Sequence, residues 1–61
     1  MLKNAYRFFK AYSNLPLEER KNPIMVIDDD PISWNLAYEE INNETKNGEE
    51  ILKNLIDLEI V

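Results

Sequence analysis

Three consecutive carboxylates, Asp28-Asp29-Asp30, are the residues whose types and spacing come nearest to chemistry in this chain. Neighbouring carboxylate oxygens can hold Mg²⁺ or Ca²⁺. A calcium loop starting at Asp28 fails, because Ile32 would fill a ligand position and Ser33 the position that needs glycine. Asp is favoured in turns and as a helix cap, so the triplet is read as turn and cap, with no metal. Glu39-Glu40 and Glu49-Glu50 are adjacent acid pairs. Such pairs do acid–base work only where a cleft raises one pKa. A domain this small seldom encloses the ~300 Å³ that ligand sites need. There is no His and no Cys. That removes an imidazole base, a typical zinc site and any disulfide. The expectation is a protein that is not an enzyme and carries no cofactor.

The 61 residues are 44% hydrophobic and 31% charged. They make one small domain, 1–61, at the lower limit of independent folding. The apolar run Ile24 to Ile27 is far below the ~20 residues of a membrane span. Residues 1–12 mix Lys3, Arg7 and Lys10 into the apolar positions, unlike a signal peptide. The expected location is therefore cytoplasmic, with no membrane partner. Charge divides the chain. Residues 1–22 carry five cations (Lys3, Arg7, Lys10, Arg20, Lys21) against two acids, a net +3. Residues 23–61 carry two cations against ten acids, a net −8. A basic front and an acidic rear read first as ordinary solvated helix faces; the other readings are a nucleic-acid arm with a protein-binding tail, or attraction between neighbouring subunits.

Spacing predicts the elements. Leu2, Ala5, Tyr6, Phe9 and Tyr12, widened by Phe8, recur at steps of three and four and predict a helix over 2–14. Leu15-Pro16 stops it, and Pro16 opens a short turn to Lys21. Ile24 to Ile27, β-branched and bounded by Pro23 and Asp28, predicts a strand. A single strand needs a partner, which is either the same strand of a second chain or a hairpin with Ile32-Ser33-Trp34 across the Asp turn. Asp30-Pro31 reads as cap and first residue of a helix with the stripe Trp34, Ala37, Tyr38 and Ile41. Asn47-Gly48 reads as a break, followed by a last helix with Ile51, Leu52, Leu55, Ile56 and Leu58. One long helix from Pro31 to Glu59 is the alternative. The fold class is α+β and mostly helical: a short first helix, one short strand, then two helices.

The apolar stripes are wide for so few residues, and nothing cross-links the chain. Entropy of roughly 1.5 kcal/mol per ordered residue nearly cancels burial at this size, so an intertwined homodimer or higher oligomer is expected. Phe9, Trp34, Tyr38, Ile51, Leu52, Leu55 and Leu58 are the candidate interface residues for self-association or for a partner.

Two stretches are similar to known families. Ile24-Met25-Val26-Ile27-Asp28-Asp29-Asp30-Pro31 resembles the first strand and acidic pair of response-regulator receiver domains, and Asn47-Gly48-Glu49-Glu50-Ile51-Leu52 resembles a later stretch of them. The resemblance implies Mg²⁺-assisted phosphoryl acceptance, with Asp29 and Asp30 at the metal. The two stretches stand too close for the family's second strand, so an active receiver is not expected. By layout, strand 24–28, helix 31–44, a turn at 46–48 and helix 49–59 resemble ribbon–helix–helix repressors and antitoxins. That likeness implies two chains pairing strands into a ribbon for the DNA major groove. Phosphates there would have to be met by Lys3, Arg7, Lys10, Arg20 and Lys21. The overall reading is a small non-enzymatic regulatory module that oligomerises and binds a protein with a basic surface. The alternative is a dimeric DNA-binding repressor or antitoxin.

Overall fold

Pro16 and Pro23 punctuate the chain as expected in the structure, a computed structural model that describes residues 1–61. Helix α1 covers Ala5–Ser13 and ends before the Leu15-Pro16 step. A 3-10 turn, Glu19–Lys21, leads into strand β1, Pro23–Ile27. Strand β2, Asp30–Ser33, then runs straight into helix α2, Trp34–Asn42, and helix α3 is Lys46–Asp57. The molecule is α+β and mostly helical, with one two-stranded antiparallel sheet.

One strand was expected, and there are two. Asp28 and Asp29 both adopt positive φ, 51° and 69°. Two such residues make the tight turn whose twist suits a hairpin. Ile27 therefore pairs with Asp30, Val26 with Pro31 and Met25 with Ile32. Of the two partners expected for β1, the structure shows the hairpin within one chain. Asp30 is not a helix cap, and Pro31 is not the first residue of a helix. Pro31 sits in an edge strand, where a missing N–H is tolerated. The cap is Ser33, whose hydroxyl oxygen accepts from the Leu36 N–H at 3.1 Å.

The long-helix alternative is excluded by a corner between α2 and α3. Asn43 ends α2 and Glu44 turns left-handed at φ 56°. Thr45 N–H then donates to the Glu40 carbonyl at 3.1 Å, and Glu44 N–H to that of Ile41 at 3.1 Å. This is the paired closure of a Schellman motif. Thr45 caps α3, accepting from Gly48 N–H at 2.9 Å. The expected break at Asn47-Gly48 is therefore corrected, since Gly48 lies in the first turn of α3. It is buried against α2, where an added Cβ would lie 2.8 Å from Ile41 N and closer still to the Glu40 carbonyl. Glycine serves here as a contact, not as a breaker.

The end of α3 repeats the motif. Ile60 N–H donates to the Leu55 carbonyl at 2.9 Å, with Glu59 left-handed at φ 58°. A left-handed non-glycine residue costs about 1 kcal/mol. Glu59→Gly should consequently stabilise the fold by about 0.5–1 kcal/mol. A higher urea midpoint at unchanged slope would show it, and a lower midpoint would contradict this cap.

The core draws on four elements: Ala5 and Phe8 from α1, Ile32 from β2, Ala37 and Ile41 from α2, and Ile51, Leu52 and Leu55 from α3. Phe8, Ile41, Ile51 and Leu55 are fully buried. Each such side chain contributes about 1.5–3 kcal/mol. The first stripe is rotated from its expected setting. Ala5, Phe8 and Tyr12 face inward, whereas Tyr6 is 63% exposed. No helix is long and apolar enough to cross a membrane.

Candidate functional site

The hairpin turn and the α2–α3 corner enclose a groove of about 400 Å³. Its apolar surface comes from Ile27, Pro31, Ile32, Leu36 and Ile51. Its polar lining is Asp28, Asp30, Glu40 and Asn47, and it contains no cation. The tight turn is what brings Asp28 and Asp30 to the rim. Leu36 and Glu40 are one helical turn apart on α2, so they share the face that meets the hairpin. The Thr45 hydroxyl donates to the Glu40 carboxylate and holds it in place. Leu36 remains 38% exposed. An apolar floor ringed by carboxylates suits an aliphatic side chain flanked by Lys or Arg.

A second hollow of about 300 Å³ lies between the start of α1 and α3. Lys3 and Lys53 there face Glu49 and Asp57, a mixed lining with no single preference of charge. Nowhere do three or more Asp or Glu side chains gather in an arrangement that could hold a metal ion.

No protein-family model, curated protein or solved structure matches this chain. Its functional reading therefore rests on its own geometry.

The expected interface residues divide into three groups. Ile51, Leu52 and Leu55 are in the chain's own core, between 0% and 3% exposed, so they cannot form a contact surface without unfolding it. Phe9, Trp34 and Tyr38 are brought together with Phe8 and Tyr12 where α1 crosses α2. Phe9 meets Tyr38 edge-on at 5.5 Å between ring centres, Tyr12 stacks on Tyr38 at 4.6 Å, and Phe8 lies 5.7 Å from Trp34. Tyr12 donates to Asn35 Oδ1 at 2.7 Å. These rings bind the two helices together, with Phe9, Tyr12 and Trp34 half-buried and Tyr38 38% exposed. Leu58 lies beyond α3 and is 66% exposed.

The five cations of the front are only partly free. Arg20 lies over the Tyr12 ring, 4.3 Å from its centre, and its buried Nε has no hydrogen-bond partner. The cation–π contact supplies its compensation. Arg7 donates to the Val61 main-chain oxygen at 2.8 Å. Lys21 lies 3.8 Å from Glu18. Lys3 and Lys10 are exposed, with no ion pair inside the chain.

The sequence reading missed Leu36, Glu40 and Pro31 as groove residues. Leu36 had a signal, because it is the one large aliphatic residue of α2 that falls off the Trp34–Ala37–Tyr38–Ile41 stripe. Pro31 had none, since its helix and edge-strand roles follow the same Asp-Pro pair.

Proposed function

We propose that this chain is a small, non-enzymatic protein-interaction module that associates with itself and takes a basic, apolar-anchored segment of a partner protein. The observation that carries the reading is the groove between hairpin and corner, with three carboxylates, an apolar floor and no cation. The net charge of −5 favours the same partners at longer range. Self-association is supported by apolar surface left outside the core, notably Leu17 at 73%, Val26 at 66% and Leu58 at 66% exposed.

Short labelled peptides test the groove. A peptide with a leucine flanked by Lys and Arg should bind, and its affinity should fall as salt rises. The same peptide with Glu in place of the cations should not. Asp28→Asn with Asp30→Asn removes two charges and keeps the turn, because Asn also tolerates positive φ. It should weaken binding roughly five-fold, about 1 kcal/mol, the scale of two exposed charge contacts. In NMR the amides of Ile32, Leu36 and Ile51 should move on titration. Equal binding of the acidic peptide, or shifts confined to residues away from the groove, would overturn this function.

A further inference from the structure

β1 has one paired edge and one open edge. β2 occupies the first, and no other element runs alongside the second. A two-residue turn closes on a hydrogen-bonded pair, here Ile27 with Asp30, and such pairs alternate along an antiparallel ladder. Val26, opposite Pro31, falls at the intervening position. Its N–H and C=O therefore turn to the open edge, and its side chain is 66% exposed. The irregularity between Pro23 and Met25 sits at the start of the strand and leaves Met25 to Ile27 regular. The outer edge of β2 is blunted by Pro31, which has no N–H, and passes at once into α2. One edge of this sheet is protected and the other is not.

The charges beside the open edge determine what fits it. β1 is preceded by Arg20-Lys21 and followed by Asp28-Asp29-Asp30. Lys21 and all three Asp residues are exposed. A second β1 laid antiparallel brings the entry end of each copy, near Lys21, beside the exit end of the other, where the turn carries Asp28 and Asp29. Parallel pairing would set acid against acid and base against base.

We propose that two copies of this chain join through their β1 edges into a four-stranded antiparallel sheet, ordered β2-β1-β1-β2, with Lys21 of each copy near the Asp28-Asp29 turn of the other. The inference rests on the self-association reading above and gives it a surface. Neither Lys21 nor Asp29 lines the groove, so the dimer and the peptide site can be tested separately. The shared edge is one short strand from each copy, which places the contact among small, reversible interfaces.

Sedimentation equilibrium is the test. From roughly 10 µM to 1 mM, a range suited to such interfaces, the mass should rise from 7.2 kDa towards twice that value. Val26→Pro removes an edge donor without costing the hairpin a bond, and should hold the chain monomeric with an unchanged circular dichroism spectrum. Lys21→Glu should weaken the dimer roughly five-fold, and adding Asp29→Asn, which keeps the turn, should recover part of the loss, as expected of charges at the rim of a contact. The charge series decides the matter if Val26→Pro disturbs the fold. A dimer indifferent to all of these variants would overturn the β1 surface while leaving self-association standing. A wild-type chain monomeric at the highest concentration would overturn both.

Discussion

Gly48→Ala will lower the melting temperature by about 8–16 °C, although alanine is the better helix former. The propensity gain is about 1 kcal/mol. Against it stands the overlap of the new methyl group with the Glu40 carbonyl and Ile41 N, the latter at 2.8 Å. These neighbours are main chain inside α2, so no side chain can swing aside, and the cost lies at or beyond the upper end of the ~1–3 kcal/mol typical of overpacking. A net loss near 2 kcal/mol corresponds to that shift in a domain of this size. Gly48→Val, with two further methyl groups, should leave no cooperative transition. A thermal scan in which the alanine variant melts at or above the wild-type temperature would show that α2 and α3 do not approach so closely.

Phe8→Ala should remove half or more of the fold's stability at 25 °C. Phe8 is 0% exposed and in contact with Phe9, Tyr12 and Trp34. Removing such a ring costs about 3–5 kcal/mol. The whole fold is worth only about 3–9 kcal/mol at the usual stability per residue. Phe8→Leu, which fills most of the space, should retain a cooperative transition. The readout is the near-ultraviolet circular dichroism of the aromatic cluster, together with a red shift in Trp34 emission. A sharp transition within a few degrees of wild type would mean that α1 is not integral to the core.

What could be read from the residues, and what could not, follows from how many structures each local signal permits. Leu15-Pro16 forbids helix and nothing competes with it, so the end of α1 was legible. Ile24 to Ile27 lacks helical spacing and is hemmed by Pro23 and Asp28, so β1 was legible too. Asp30-Pro31 is compatible with a helix start and with an edge strand. What decided between them was the conformation of Asp28 and Asp29, which aspartate tolerates but does not announce. Ser33 was then free to cap α2 three residues later than expected. The α2–α3 corner was misplaced for a related reason. Its left-handed residue is Glu44, a type that seldom adopts that conformation, whereas the glycine that usually does sits at position 48 in a helix. The groove depends on both of these corrections. It exists because the hairpin folds back over the face of α2 that carries Leu36 and Glu40, and neither the fold-back nor the face could be placed until the turn was.

The corner also bears on ancestry. Charges and apolar stripes can be met by many combinations of residues, and they drift apart as lineages diverge. A hydroxyl cap, two free positions and then a glycine wedged against the preceding helix cannot be exchanged so freely. The spacing Thr45-x-x-Gly48, followed by Ile51, Leu52 and Leu55, is thus a fingerprint that distant cousins of this chain should still carry after the rest of their letters have changed.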